Sequence, residues 1–292
     1  MRLADEIDRV IHNAWSVNVN MSVSSFEPQI RRVRHLVDFS EKETRKVVPI
    51  TFISTVGTVE KWPTPEVPVP EKALPDWSLA LFGYDQSKLA SSIILDKAAT
   101  ESGVPIVTVR VGQIAGPRGK KGKWNPQEWL PSLACSSLYL GLLPDSLGTF
   151  DNIGWAPVED IASMVLDVSG VTCPRPAEEV TGYFHALIPK PTDWSSLIPT
   201  LRDFYVDRIQ KVVSFKEWIC ALEKSQVNSL SIDKNPAVKL LDTYRLAAEG
   251  AKMGSKGITM STTRTEPYSL AMRQAEAVSP ELMKHWCEQW QF

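Results

Sequence analysis

The chain has 15 glycines in 292 residues, yet none of them precedes Gly57. A glycine turn that brings backbone amides close to a ligand is therefore excluded from the segment before that residue. Long apolar runs are also lacking, and none approaches the roughly 20 residues of a membrane span. The first residues include Arg2, Asp5 and Glu6 rather than the apolar stretch of a signal peptide. These absences predict a cytoplasmic protein without a membrane partner.

The spacing of the cysteines and the net charge exclude further classes of protein. The four cysteines are widely spaced, with no Cys-x-x-Cys pair, and the four histidines are scattered. This pattern predicts reduced thiols and neither a disulfide framework nor a metal site. A net charge of −2 lacks the basic excess of a nucleic-acid-binding protein, so we expect no such partner. The ten tryptophans predict core and interface anchors, with the lining of a large apolar pocket as the alternative.

Hydrophobic periodicity predicts alternating strands and helices in the first part of the chain. Strands are predicted at residues 9–14, 47–54 and 104–111, and helices at residues 22–40 and 84–102. Gly103 follows the second helix at the position where a left-handed residue ends helices. Five prolines between residues 63 and 75 exclude a helix or central strand there. The strand–helix–strand–helix–strand order implies a parallel sheet with right-handed crossovers.

The second part of the chain has a looser pattern. It predicts helices at residues 126–143, 158–168 and 279–290, and strands at residues 153–157 and 183–188. Ser279 and Pro280 suit the N-cap and the first position of the last helix. We therefore predict an α/β fold in which residues 1–168 hold the parallel sheet and residues 169–292 form a mainly helical lobe.

A pair of side chains at the start of the second helix carries the strongest chemical signal. Tyr84 and Lys88 are four residues apart and hence share one helix face. We expect the Lys88 ammonium to lower the pKa of the Tyr84 phenol from about 10, which would make it a proton donor at neutral pH. The second strand ends in Ser54 and Thr55, whose hydroxyls are predicted at the carboxyl edge of the sheet, where ligands bind in parallel α/β folds.

Two further segments are predicted at the same edge. The first strand ends in His12, and Asn13 and Ala14 follow it. The third strand leads into Val111, Gly112 and Gln113, and glycine there allows close approach of a ligand. We interpret His12 as a strand-end histidine rather than a proton carrier. Arg118, Lys120, Lys121 and Lys123 form a basic loop that is either solvated or a substitute site for a phosphate.

Several motifs, in their order and spacing, resemble one known family. They are residues 12–15, 52–56, 83–88, 110–116, 154–160 and 279–283, together with Trp286 and Trp290. The chain resembles, over nearly its whole length, the terminal thioester reductase domains of fungal nonribosomal-peptide-synthetase-like enzymes of secondary metabolism. Those domains belong to the extended short-chain dehydrogenase/reductase superfamily. The resemblance implies a Rossmann-type NAD(P)-binding domain at residues 1–168 and a substrate-binding lobe at residues 169–292.

The resemblance also implies a reaction. An acyl thioester on a carrier protein, or a related carbonyl substrate, is reduced with NADPH to an aldehyde or alcohol. Thr55 and Tyr84 would hydrogen-bond the carbonyl oxygen, with Ser54 as the fallback hydroxyl, and Lys88 would hold the nicotinamide ribose. Asn13, Ala14, Val111, Gly112 and Gln113 would line the cofactor site.

The chain departs from the family pattern at its start. The Gly-x-x-Gly-x-x-Gly turn of the family has no counterpart before Gly57. We therefore expect a truncated Rossmann-type sheet and weak or absent NADPH binding, with reduction if that binding is rescued. The alternative is a cofactor-independent cyclase or isomerase that closes a ring by Dieckmann or aldol chemistry. An apolar strand edge without its neighbour further predicts a cover or a homodimer.

Overall fold

A computed structural model describes residues 4, 6–43, 46–226, 233–253 and 257–292 of the chain. The α-helices are α1 Glu27–Asp38, α2 Gly83–Ser102, α3 Trp129–Leu140, α4 Val158–Val168, α5 Ala177–Val180, α6 Trp194–Phe204, α7 Phe215–Ser225, α8 Leu241–Lys252, α9 Thr265–Tyr268, α10 Leu270–Gln274 and α11 Pro280–Trp290. The strands are β1 Val10–His12, β2 Ile50–Thr55, β3 Ile106–Val111, β4 Ile114–Ala115, β5 Leu142–Pro144, β6 Asn152–Ile153, β7 Ala156–Pro157, β8 Gly182–Ala186, β9 Thr192–Asp193 and β10 Lys211–Val213.

The chain divides into two compact units, each made of three segments. The first unit contains residues 1–112, 160–189 and 258–275, and the second contains residues 113–159, 190–257 and 276–292. The predicted two-domain division with one boundary after residue 168 stays a prediction. Within the described part of the chain, no helix combines the length and the apolar composition that crossing a membrane needs.

A parallel four-stranded sheet organises the first unit. Its strand order is β1-β2-β3-β8, with every neighbouring pair parallel. The predicted α/β class and the predicted pairing of the first two strands are confirmed. Strand β8, which lies on the C-terminal side of the predicted boundary, is hydrogen-bonded to β3 in this sheet. The periodicity of a strand does not say which sheet it joins, so this placement was not predictable from the local pattern.

Two prolines set where the central strands begin. The strands predicted from residues 47 and 104 start instead at Ile50 and Ile106, directly after Pro49 and Pro105. Proline has no N–H to donate to a sheet, which confines it to strand starts and edges. The carbonyl of each proline is still used, because Pro49 O accepts from Val10 N and Pro105 O accepts from Ile50 N, both at 2.9 Å.

The helices of the first unit follow their predicted periodicity. The predicted helix 22–40 is a 3₁₀ turn at Val23–Phe26, followed by α1 and a π-helical turn at Phe39–Glu43. Helix α2 was predicted one residue shorter, and Gly103 ends it in the left-handed conformation as expected. The side chains of Val33, Leu95 and Phe52 are completely buried together. This core fixes α1 and α2 against the sheet and so positions the start of α2.

Strand β1 lies at one edge of the described sheet. It pairs with β2 from Val10 opposite Ile50 to His12 opposite Phe52, and no described strand lies on its other side. The side chain of Ile11 is 36% exposed. The predicted cover or homodimer at this edge stays a prediction.

The second unit is mainly helical and is built around tryptophans. Its hydrophobic core contains or packs against seven of the ten, which confirms their interpretation as core anchors: Trp124, Trp129, Trp155, Trp194, Trp218, Trp286 and Trp290. The predicted helix 126–143 ends at Leu140, because Gly141 adopts a left-handed conformation with φ of 69°. Helix α11 begins as predicted, and Ser279 Oγ accepts from Leu282 N at 3.2 Å.

Candidate functional site

Two hydroxyl side chains stand at the carboxyl end of β2 in the first unit. The Oγ of Ser54 is buried and has no hydrogen-bond partner among the described residues. Thr55 caps the 3₁₀ turn Val56–Val59, since its Oγ1 accepts from Gly57 N at 3.2 Å. An accepting hydroxyl retains its own proton, so Thr55 can still donate to a ligand.

Gly57 lets α2 come close to this turn. A Cβ atom on Gly57 would lie 2.0 Å from Oδ1 of Asp85, so a larger residue there would displace the Asp85 side chain from its present position. Asp85 Oδ2 in turn accepts from Phe82 N at 3.2 Å and so caps the start of α2. This packing holds the start of α2, which carries Tyr84, against the turn that follows Thr55.

Lys88 is completely enclosed one helical turn beyond Tyr84. Its side chain is 2% exposed, and its Nζ donates to the carbonyl of Ile53 at 2.6 Å. Three aromatic rings surround this amine. Their centroids lie 4.3 Å (Trp15), 4.8 Å (Phe52) and 6.0 Å (Tyr84) from Nζ. Burial lowers the pKa of Lys88 to about 7, because an ammonium loses its hydration there.

The predicted effect of Lys88 on Tyr84 is wrong. Burial, with a smaller contribution from the negative charge of Asp85, raises the pKa of the Tyr84 phenol to about 12. The four-residue spacing is present, but desolvation of the phenolate outweighs attraction to an amine that is itself only partly charged near neutral pH. Tyr84 is therefore fully protonated at neutral pH and can still donate its proton.

The residues after β1 lie beside the same cluster. The His12 ring stacks on Phe52 with centroids 5.8 Å apart, and its buried Nε2 has no described partner. Burial and, to a smaller extent, the charge of Lys88 lower the pKa of His12, which agrees with its interpretation as a neutral strand-end histidine. Asn13 and Ala14 are exposed at the carboxyl end of the strand.

The residues Val111, Gly112 and Gln113, which were also predicted at the ligand edge, make contacts within the chain. Val111 ends β3 and is buried, and Gly112 N donates to Ala186 O at 2.9 Å. Gln113 belongs to the second unit, where its Oε1 accepts from Trp129 Nε1 at 3.0 Å. The structure therefore places Tyr84 and Lys88 of α2 beside the end of β2, which carries Ser54 and Thr55, and it places Gln113 in the second unit.

The basic loop of the second unit binds a carboxylate of its own chain. The backbone amides of Arg118 and Gly119 donate to the carboxylate of Glu159 at 3.1 and 3.4 Å. Lys123 Nζ donates to Trp290 O at 3.0 Å. A phosphate that used these two amides would have to displace Glu159.

Sequence reasoning assigned no role to Trp15 or Asp85. Trp15 follows the residues that were assigned to the ligand edge, and an aromatic residue there is the signal that points to it. Asp85 occupies the third position of a helix, where an acidic side chain commonly caps the backbone, but its contact with Gly57 is set by tertiary packing.

Comparisons with known proteins assign the chain to a family. The profile of the NAD-binding family described as Male sterility protein matches residues 1–165. The chain is 55% identical over 291 residues to a carboxylic acid reductase of Neurospora crassa, covering all of this chain and 28% of that protein. It is 30% identical over 308 residues to the adenylate-forming reductase Nps11 of Serpula lacrymans var. lacrymans, covering 99% and 27% of the two chains. The chain thus spans little more than a quarter of either relative.

A solved structure shares the fold. The terminal R domain from the myxalamid PKS-NRPS biosynthetic pathway superposes with a TM-score of 0.77 at 19% sequence identity, over 98% of this chain and 69% of that one. The Rossmann-like parallel sheet inferred from the sequence motifs is therefore confirmed at the level of fold.

A match to an NAD-binding family implies a nicotinamide dinucleotide, and the described residues fit one end of it. The amine of Lys88 has no ion-pair partner among the described residues, and Asn13 and Ala14 are exposed after the end of β1. These groups suit a ribose and an amide, which form neutral hydrogen bonds. The pyrophosphate end fits less well, because the amides of Gly112 and Gly119 already donate within the chain.

Proposed function

The chain belongs to the NAD-binding Male sterility protein family, and on this premise we propose that it is a thioester reductase of secondary metabolism. Family membership agrees with the resemblance to extended short-chain dehydrogenase/reductase domains inferred from the motifs. The single observation that carries the proposal is the contact of the Lys88 amine with the carbonyl of Ile53, which places Lys88 and the Tyr84 ring, 6.0 Å from Nζ, beside the strand that ends in Thr55. The 55% identical relative is named a carboxylic acid reductase, which supports the same chemistry.

The proposed substrate is an acyl thioester, presented by a carrier protein, and the proposed cofactor is NADPH. The cofactor, when bound, supplies the hydride that reduces the carbonyl carbon. Lys88, Asn13 and Ala14 would hold its nicotinamide end, with Val111 and Gly112 of the same unit beside them. We further propose a location in the cytoplasm and a homodimer through the edge of β1.

The chain's own hydroxyls would act on the substrate oxygen. Thr55 and Tyr84 would donate hydrogen bonds to the carbonyl oxygen as negative charge develops on it. The raised pKa of Tyr84 keeps its proton in place until that oxygen becomes more basic than the phenolate. Tyr84 would then transfer the proton and complete a thiohemiacetal, which releases the thiol and leaves the aldehyde. Lys88 would orient the cofactor from its enclosed position.

Aldehyde formation tests the proposal directly. The purified chain is supplied with millimolar NADPH and an acyl N-acetylcysteamine thioester, and the aldehyde is trapped as a hydrazone and quantified by mass spectrometry. We expect aldehyde in proportion to NADPH oxidised, and about a hundredfold less from Tyr84→Phe in the same time. A folded chain that produces no aldehyde would contradict the proposal. Ring closure without NADPH oxidation would establish the cyclase alternative, which the names of the relatives do not support.

A further inference from the structure

The amine of Lys88 is held in a cage made of aromatic faces and one backbone carbonyl. We use the name Lys88 cage for the rings of Trp15, Phe52 and Tyr84 with the carbonyl of Ile53. Trp15 has the shortest ring distance, 4.3 Å from Nζ to the centroid, and lies within the range at which indole attracts an ammonium. Phe52 and Tyr84 belong to β2 and α2, whereas Trp15 reaches the amine from the segment after β1.

Trp15 is fixed in this position from two sides. Its Nε1 donates to the Oγ of Ser87 at 3.2 Å, and that hydroxyl donates to Tyr84 O at 2.6 Å. Its ring meets the edges of Phe52 and His12, with centroids 5.7 and 5.8 Å away. The hydrogen bond at one end of the indole and these two edge-type ring contacts hold Trp15 over Lys88.

No carboxylate of the described residues forms an ion pair with Lys88. The titratable groups that face it are His12 from the end of β1 and Tyr84 from its own helix, with Asp85 beside Tyr84. Burial and Lys88 keep His12 neutral at neutral pH, and Tyr84 is neutral because its pKa is raised. The negative potential around the amine therefore comes from ring faces and the Ile53 carbonyl rather than from a counter-ion.

We propose that Trp15 is a positioning residue, whose indole face favours the charged form of the Lys88 amine and holds it at the carboxyl edge of the sheet. The catalytic meaning of this role rests on the proposed reductase function, because a charged amine is the form that would donate to a cofactor hydroxyl. Trp15 itself would touch neither substrate nor cofactor. Its loss would weaken the charged form, since a cation–π contact stabilises the ammonium and not the neutral amine.

The titration of Lys88 tests this role independently of any reaction. Lysine labelled with ¹³C at Cε is followed by NMR against pH, and Lys88→Arg assigns the signal. We expect Trp15→Leu to lower the pKa of Lys88 by about half a unit to one unit. Trp15→Phe, which keeps a ring face, should retain most of the original value. An unchanged Lys88 titration in a folded Trp15→Leu variant would overturn the proposal.

Two further variants separate positioning from general packing. Trp62→Leu removes an indole that packs against Val59, Val69 and Leu79 instead, and it should leave the Lys88 signal unmoved. Ser87→Ala keeps the Trp15 ring but removes the acceptor of its Nε1–H, so it should lower the pKa of Lys88 by a smaller amount. If Trp15→Leu does not fold, Ser87→Ala decides, and an unchanged titration in that variant counts against the proposal.

The pH profile of aldehyde formation then connects the residue to function. The alkaline limb of turnover should move to lower pH in Trp15→Leu and recover in Trp15→Phe. A shifted Lys88 titration in a chain that makes no aldehyde would leave the positioning role intact and defeat the reductase proposal. If the chain makes aldehyde but the Lys88 titration does not shift in Trp15→Leu, the reductase proposal stands and the positioning role of Trp15 is overturned.

Discussion

The hydroxyl of Tyr84 is the proposed proton donor, and its removal is the sharpest test at the scale of single residues. We expect Tyr84→Phe to lower turnover by about a hundredfold, the usual order for losing a positioned proton donor. The ring contact with Phe26, at a centroid distance of 6.1 Å, is retained in the variant. Initial rates of aldehyde formation measure the effect, and Tyr139→Phe, an exposed tyrosine of the second unit, is the matched control. Equal rates for wild type and Tyr84→Phe would place proton donation elsewhere.

Ser54 and Thr55 offer two hydroxyls, and two substitutions assign the reacting one. Thr55→Val keeps the side-chain shape and should lower turnover about a hundredfold if its hydroxyl binds the developing oxyanion. Ser54→Ala should leave turnover nearly unchanged and raise the free energy of unfolding by about 1 kcal/mol, because it removes a buried hydroxyl without a described partner. Rates and urea unfolding measure both. A large loss of turnover only in Ser54→Ala would transfer the role to Ser54.

Lys88 makes stability depend on pH in a predictable direction. Its pKa falls from 10.5 in an ordinary site to about 7 in the folded chain. Between these values the unfolded chain binds more protons than the folded one, so the contribution of Lys88 to stability is present above about pH 10.5 and is lost progressively as pH falls from there to about 7. We expect the stability of wild type relative to Lys88→Met to rise from about pH 7 to about pH 9 in urea unfolding.

Lys97→Met supplies the control for that pH series. Lys97 is on the same helix, and its exposed side chain pairs with Glu101. Losing this charge should not reproduce the trend, because the trend arises from burial of Lys88. A stability difference between wild type and Lys88→Met that does not change with pH would show that the amine is solvated in the folded chain.

At the scale of single elements, helix α11 tests a cap that was predicted from sequence. Ser279 Oγ accepts from the backbone of Leu282, and Pro280 follows at the first helical position. Ser279→Ala should lower the free energy of unfolding by about 1 kcal/mol, the usual effect of losing an N-cap. Urea unfolding measures it, with Ser195→Ala at an exposed position inside α6 as the control. Equal losses in both variants would mean that the cap contributes nothing specific.

Elements such as α2 and α11 could be predicted because their signals are local. Apolar spacing gives the helix, and Gly103 or Ser279 marks its end or its start. The predicted starts of β2 and β3 were three and two residues too early, although the sequence shows the prolines that precede Ile50 and Ile106. The pairing of β8 with β3 brings together residues more than 70 positions apart, so no local sequence pattern predicts this pairing.

The candidate site also combines features that the sequence predicts with features that depend on the fold. The spacing of Tyr84 and Lys88 and the strand-end hydroxyls follow from element assignments, so these residues could be proposed from sequence. The rise in the pKa of Tyr84 could not be predicted from sequence, because it depends on how deeply the phenol is buried and on the charge of Asp85. The contact of Trp15 with Lys88 also needs the fold, since the two residues lie on different elements.

At the scale of the whole molecule, the two units differ in what they contain. The first holds the parallel sheet and every hydroxyl and amine proposed for catalysis, and the second holds a tryptophan-rich helical core. A relative named as a carboxylic acid reductase shares 55% of the residues of this chain along its entire length. The likeness therefore includes both units, and we expect both to be needed for the proposed reaction.

The 292-residue chain by itself is expected to bind NADPH weakly. Tight binding of a dinucleotide requires free backbone amides around its pyrophosphate. Among the described residues, Gly112 N donates to Ala186 O, and the amides of Arg118 and Gly119 donate to Glu159. We therefore expect a dissociation constant for NADPH of roughly a millimolar or weaker. Calorimetry measures it, and Lys88→Met should weaken it further if the amine holds the nicotinamide end.

Glu159→Gln provides the matched test of the basic loop. Glutamine can still accept a hydrogen bond from these amides, but it removes the negative charge that repels an anion, so NADPH should bind this variant more tightly if the loop contributes a phosphate site. The same affinity in both proteins would leave the loop without that role. A dissociation constant in the low micromolar range for the unmodified chain would contradict the prediction, because it would require a pyrophosphate site that none of these amides provides.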